Sequence, residues 1–340
     1  MGGIALLVNR AVWVVDSHTA GEPTRIVVGG VPPVPGNSMA EKKAYLSSHL
    51  DGLRKMLMWE PRGHRDMFGS ILLPPVNPEA DLGIVFMDGG GYLDMCGHGT
   101  IGAATVVVEL GIIKPLEPVT LVRFDTPAGL VEARVLVKEG RVQGVTVRNV
   151  PAFLHTGGLR IEVEGLGEIE VDVAFGGNFF AIVDADVLGL EIVPQRASKL
   201  VELGLKIRDA VNRAIRVSHP EKPHIDRVNL VEFSSARSGP GSHRRNAVIF
   251  ADGQLDRSPC GTGTCAKMAS LFARGKLKLM EDFVHESILG TRFTGRVVDT
   301  TKVGSFEAVI PEITGRAHIT AISQFLLDPE DPLAEGFVLG

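Results

Sequence analysis

A five-residue string that occurs twice constrains this chain more than any other feature. Cys96-Gly97-His98-Gly99-Thr100 and Cys260-Gly261-Thr262-Gly263-Thr264 both read CGxGT and lie nearly half of the 340 residues apart. Each follows a turn-rich stretch with an aspartate, Asp94 or Asp256, and each runs into a compact helical segment. Those segments, 100–110 and 264–274, end at Gly111 and Gly275. Glycine is the residue that stops a helix, because it accepts a left-handed backbone. Each cysteine is therefore expected in a glycine turn at a helix N-terminus, where unpaired N–H groups and the positive dipole end favour an anion. A thiol so placed is expected to ionise below its ordinary value of about 8.5. One such thiol in each copy of a repeat predicts a single active site between two similar halves.

The remaining composition narrows the partners. A length of 340 residues suits two domains. A net charge of −5, with no basic run longer than Arg244-Arg245, argues against nucleic acid and anionic membranes. Three cysteines make no disulfide framework, so a reducing, cytoplasmic setting is expected. The apolar run 1–8 is short and Arg10 follows it, so neither a signal peptide nor a membrane span is expected. No metal site is expected: Cys260 and Cys265 lack CxxC spacing, and Cys96 has only His98 close by. Cys265 lies on another face of its helix and reads as packing. Walker A and dinucleotide-binding glycine motifs are absent, and Gly89-Gly90-Gly91 reads as a turn. His98, two residues from Cys96, reads as poorly placed to act as its base in a protease-like pair.

Along the chain, AVWVVD and TRIVVGG read as strands around a wide turn, SHTAGEP. Ser38 and Glu41 form a capping box for one helix over 38–59, with Leu46, Leu50, Leu53 and Leu57 as its stripe. Short strands follow near 71–73 and 82–87, then a β-rich run over 119–124, 130–137 and 142–147. Further strands fit 160–164 and 169–175, and a second long helix fits 197–217. Strands at 228–233 and 246–250 lead to the second cysteine, with others near 293–298, 305–310 and 317–322. The order of elements before Cys260 repeats that before Cys96. Interleaved strands with a few helices indicate an α+β fold. The boundary is placed near Pro151, giving halves 1–150 and 151–340, with the C-terminal tail able to pack back on the first.

Two activated thiols facing one cleft suit proton transfer at a single carbon. One thiolate removes a proton from one face while the opposite thiol delivers one to the other. Backbone N–H groups at two helix ends would offset the charge developing on a substrate carboxylate, with no cofactor needed.

The residues resemble the proline racemase family. DSHTAGEPTR (16–25), RGHRDMFG (62–69), MCGHGTIG (95–102), GGNFFA (176–181), DRSPCGTGT (256–264) and DPLAEGF (331–337) carry the resemblance across nearly the whole chain. That family includes 4-hydroxyproline 2-epimerases and trans-3-hydroxyproline dehydratases and shares a diaminopimelate epimerase-like fold. The resemblance implies two pseudo-symmetric halves, each a mixed, mostly antiparallel sheet curled around a central helix. It implies Cys96 and Cys260 as the two bases. Gly97, His98, Gly261 and Thr262 would surround the substrate's carboxylate and ring nitrogen, and Asp256 would hold that nitrogen. Read without the resemblance, Asp256 is an N-terminal cap for the second helix. Phe68, Leu93 and Phe250 match positions closing over the ring. His18 and Arg25 are assigned structural hydrogen bonding.

The resemblance further implies a small-molecule substrate, no cofactor, and is compatible with a homodimer. Family dehydratases carry Thr where Cys260 stands, so racemisation or epimerisation is expected. Phe250 resembles the apolar wall of the proline-specific members, which places L- and D-proline ahead of 4-hydroxyproline. MCGHGTIG is shared with the epimerases. A redox switch built on the cysteine pair is the alternative of another class.

Overall fold

Residues 11–328 and 330–339 are described by a computed structural model; the apolar run 1–8 lies outside them. Strands β1 (Ala11–Thr19) and β2 (Glu22–Gly29) form an antiparallel hairpin. Its turn is only Ala20-Gly21, so most of the polar stretch expected as a turn is strand. Ser17, Thr19, Glu22 and Thr24 disguise that strand because they are polar yet buried. Their partners are internal: Ser17 bonds Thr24, and Thr19 Oγ1 donates to the His98 carbonyl at 2.9 Å.

The helix expected over 38–59 is two helices, α1 (Met39–His49) and α2 (Asp51–Met58). Ser38 caps α1 as expected, its Oγ accepting from the Glu41 N–H at 3.1 Å. The break falls at Leu50, which leaves the helical region (φ −129°, ψ 20°). Asp51 then starts a second helix, where a carboxylate suits the N-terminal dipole and pairs with Arg54 at 2.6 Å.

Strand β3 (Phe68–Leu73) runs parallel to β2, and β4 (Leu82–Asp88) returns antiparallel. A short β5 (Tyr92–Leu93) leads into α3 (Gly97–Glu109). Strand β6 (Val119–Thr126) is parallel to β4, followed by the meander β7 (Gly129–Lys138) and β8 (Arg141–Arg148). The same pairing order then recurs. Strand β9 (Ala152–Val163) pairs β10 (Gly167–Phe175), and β10 pairs β11 (Phe179–Asp184). Helix α4 (Ala197–Ala214) crosses to β12 (Val228–Ser235), parallel to β11. Strand β13 (Arg244–Phe250), the short β14 (Gln254–Leu255) and α5 (Gly261–Ala273) follow. Then come β15 (Asp282–Glu286), parallel to β13, and the antiparallel β16 (Arg292–Val303) and β17 (Phe306–Gly315).

Strand β17 bonds β9 as well as β16, so β9 to β13 and β15 to β17 close a ring of eight strands. It also bonds β8, and β18 (Ala317–Leu326) runs back along β1. Strand β11 has no alternating pattern in the sequence because Phe179 to Val183 are all buried. Every residue of α3 from Gly97 to Val108 is buried, which its lack of a polar face demands. It packs on β1, β2, β7, β8 and β18, and α5 packs on β9, β10, β16 and β17. Cys265 is wholly buried in α5, as expected of packing.

Candidate active site

The two helices meet end to end. Gly97 and Gly261 are their first residues, and a methyl group on Gly97 would lie 2.6 Å from the Gly261 Cα. The first glycine of CGxGT is thus explained by backbone touching backbone. Both helix dipoles present their positive ends to the same place, which favours an anion there.

Each cysteine is the N-cap of its helix. Cys96 Sγ accepts from the Gly99 N–H at 3.2 Å, and Cys260 Sγ accepts from the Gly263 N–H at 3.4 Å. Their backbones differ. Cys96 is extended (φ −143°), whereas Cys260 takes a positive φ of 57°, a conformation costing a non-glycine residue about 1–3 kcal/mol. Such strain is characteristic of residues held for function.

Between the cysteines lies a narrow cavity of about 10 Å³. Its apolar walls are Phe68, Leu93, Met95, Leu230 and Phe250, and its polar side is Cys96, His98, Asp256, Cys260 and Thr262. The eight side chains that the family resemblance implies here converge on it, while Gly97 and Gly261, also implied, lie at the junction of the helices and not in the cavity lining. Met95 and Leu230 join them without a sequence signal, since a lone apolar residue before a turn or within a strand reads as core. The cavity is too small for any amino acid, so admission requires the walls to part. A larger cavity of about 550 Å³ sits elsewhere, beside Lys267 and Arg274, and contains neither cysteine.

His98 corrects the expectation of poor geometry. Its Nδ1 is 3.3 Å from Cys96 Sγ and 3.5 Å from Asp256 Oδ2. The helical turn after Cys96 folds the ring back over the sulfur, which spacing in an extended chain does not reveal. Burial opposes a charge on His98, but Cys96 and Asp256 outweigh it and hold its pKa well above the usual imidazole value. Phe68 supports the ring edge-on, with centroids 4.5 Å apart.

Cys260 overturns the expectation of a lowered pKa. Burial pushes its thiol well up, reinforced by Asp256, and the Gly263 N–H opposes this without prevailing. Desolvation of a wholly enclosed sulfur exceeds the help from one helix end. Asp256 is not the cap of α5 either. Its Oδ1 accepts from the Ser258 N–H at 2.7 Å, and Cys260 itself caps the helix. Asp256 is left with Oδ2 toward His98 and the cavity.

Glu22 escaped the sequence reading, although it stands in the motif at 16–25. It is wholly buried, its Oε2 accepts from the Arg257 N–H at 2.6 Å, and burial followed by Asp256 pushes its pKa up to about 8. An acidic residue within a polar turn gave no cue to that depth. His18 and Arg25 have structural bonds: Arg25 pairs Asp16 at 2.8 Å, and His18 Nδ1 accepts from the Gly21 N–H.

A thiol at each of two abutting helix ends is an arrangement suited to moving a proton on and off one carbon. The sequence profile of the proline racemase family matches residues 14–338. Proline racemase of Clostridioides difficile is 54% identical over 331 residues, covering 97% of this chain and 99% of that one. A 4-hydroxyproline 2-epimerase of Streptosporangium roseum is 47% identical over 334 residues, with 97% and 99% covered. The crystal structure of a hydroxyproline epimerase from Agrobacterium vitis, with bound trans-4-hydroxy-L-proline, superimposes with a TM-score of 0.93 at 38% identity. That superposition covers 98% of this chain and 97% of the other. The chain belongs to the proline racemase family, and with these relatives it is an isomerase, a racemase or epimerase. No helix among the described residues is long and apolar enough to cross a membrane.

Proposed function

We propose that the protein interconverts L- and D-proline by two-base proton transfer between Cys96 and Cys260. The observation that carries this is the pair of sulfur-capped helix ends abutting at Gly97 and Gly261 over one cavity. In the direction with Cys96 as base, its thiolate, beside the His98 imidazolium, takes the α-proton. The C–H electron pair passes into the substrate carboxylate. The Cys260 S–H bond breaks as its proton reaches the opposite face of the α-carbon. Backbone N–H groups of Gly97, His98, Gly261 and Thr262 stabilise the carboxylate where charge accumulates. Asp256 holds the ring nitrogen, and Phe68, Leu93 and Phe250 enclose the ring.

The repeated strand order supports two pseudo-symmetric halves, 1–150 and 151–340, each sheet curled around its own helix, α3 or α5. Strand β18 packs the C-terminal end back on the first half. Three free cysteines support a reducing, cytoplasmic setting.

The test is incubation in D₂O with L-proline and, separately, trans-4-hydroxy-L-proline. With L-proline, optical rotation is expected to decay to zero. Early D-proline should carry α-deuterium while the remaining L-proline retains α-hydrogen, since the removing and delivering groups differ. No loss of rotation with L-proline, or faster turnover of trans-4-hydroxy-L-proline at equal low concentration, overturns the proline reading.

Phe250 carries the choice of substrate. It is buried and packs edge-on to Phe68, with centroids 6.2 Å apart. Leu230, the neighbour on β12, adds another apolar wall, and Glu232 does not line the cavity. A 4-hydroxyl stripped of water against this wall costs about 1–3 kcal/mol, or roughly 5- to 150-fold in kcat/KM. Phe250→Ser is expected to narrow or reverse the preference for proline. An unchanged ratio of kcat/KM for the two substrates removes Phe250 from that role.

A further inference from the structure

The two copies of the repeat differ behind their cysteines. A methyl group on Gly99, whose N–H bonds Cys96, would lie 2.9 Å from the ring of Phe86. On Gly263, whose N–H bonds Cys260, it would lie 2.8 Å from Glu232 Oε2 and 3.1 Å from Cys260 Sγ. The Glu232 carboxyl and the Cys260 thiol are therefore no more than about 6 Å apart, within the range over which like charges oppose one another. One cysteine is backed by a phenyl ring and the other by a carboxyl group.

Glu232 is wholly buried, and among the described residues neither of its oxygens has a hydrogen-bond partner. His285, also wholly buried, points Nε2 to within 3.8 Å of Glu232 Oε1, while its Nδ1 faces Thr264 Oγ1 at 3.0 Å. Asn246 donates one amide N–H to the Pro259 carbonyl at 2.7 Å, faces Glu232 with the same amide group, which favours the carboxylate, and leaves Oδ1 unpartnered. The cations facing Glu232 are Lys267 from α5 and Arg244 from β13. The other acidic groups facing Cys260 are Asp256 and Cys96. Buried polar atoms left over in such numbers are uncommon, and catalytic duty is one of the reasons proteins keep them.

We propose that Glu232 is a positioning residue for Cys260: as a carboxylate it keeps the proton on the thiol, and Cys260 acts as a base only while Glu232 is a neutral acid. The proposal rests on the two-cysteine reading. It makes the two bases inequivalent, since Cys96 faces an imidazolium and Phe86 where Cys260 faces a titratable acid. Burial raises the Glu232 carboxyl to about 8, so it is neutral at pH 7 and charged above pH 8.

Alkylation by iodoacetamide, followed separately at Cys96 and Cys260 by peptide mass spectrometry between pH 6 and 10, tests this. Below pH 7 the parent and Glu232→Gln should alkylate alike at Cys260, because both carry a neutral group; this also controls for access. At pH 9 Cys260 of the variant should react about tenfold faster than the parent's, equivalent to one pKa unit. Cys96 should not change. Glu232→Met, uncharged but without hydrogen-bonding capacity, should follow the Gln variant, since charge and not structure is at issue. A Cys260 profile that superimposes on the parent's at pH 9, in either folded variant, overturns the proposal, as does an equal change at Cys96. If the two-cysteine reading itself is wrong, serine variants of the cysteines will racemise, an outcome separate from any alkylation profile.

Discussion

Cys96→Ser and Cys260→Ser are each expected to lose about 10²–10⁴-fold in racemisation, the usual worth of a positioned acid or base. Optical rotation at equal enzyme concentration measures the loss. In the proposed scheme each face of the α-carbon meets one sulfur, and a serine hydroxyl neither ionises near neutrality nor releases its proton as readily as a thiol. The double variant is expected to be little worse than either single one, because groups acting as a unit lose their effect together. Each single variant keeps one thiol, so slow exchange of the α-proton from one face can persist without inversion. Full racemase activity in either single variant would sink the two-base scheme.

The second large effect comes from two glycines. Gly97→Ala would set a methyl group 2.6 Å from the Gly261 Cα, and Gly261→Ala would set one 2.5 Å from the Gly97 Cα. In both cases the obstacle is backbone, which cannot rotate aside as a side chain can. The helix ends must separate, at a cost of about 1–3 kcal/mol for overpacking. Each helix carries a cysteine on its cap, so separation also misplaces the sulfurs. A displacement near 1 Å costs about 10²-fold in rate. Thermal unfolding should fall together with kcat/KM. Gly91→Ala is the control, since a methyl group there meets nothing within 4 Å. If Gly97→Ala keeps the parent's melting temperature and activity, the helix ends do not meet as described.

Much of the scaffold was legible in the residues. The helices after each CGxGT end where Gly111 and Gly275 turn left-handed (φ 70° and 66°), the role expected of them. The strands of the first meander alternate apolar and polar, and β6, β7 and β8 fall where that pattern placed them. The failures share a cause. Buried polar strand residues at 17–24 imitate a turn, and a wholly buried strand such as Phe179–Asp184 has no alternation to read. The helix break at Leu50 is hidden because an apolar stripe continues across it.

The site divides in the same way. Cys96, Cys260 and the flanking glycines follow from a repeat, because a repeated turn at a helix start places the same atoms twice. Polarity alone says nothing of depth, so Glu22, Glu232 and His285 read as ordinary charged or polar residues until the sheets close over them. Ionisation was likewise beyond the sequence. A helix N-terminus lowers a thiol's pKa only where water or cations also stabilise the charge, and burial around Cys260 reverses the sign. The sequence by itself determined two thiols at two helix starts and the apolar strands to bury them. Tertiary structure alone decided that the helix starts touch, that Asp256 meets His98, and that a carboxyl stands behind Cys260. Contacts between residues far apart in the chain depend on how strands close around each helix, and no local spacing encodes that closure.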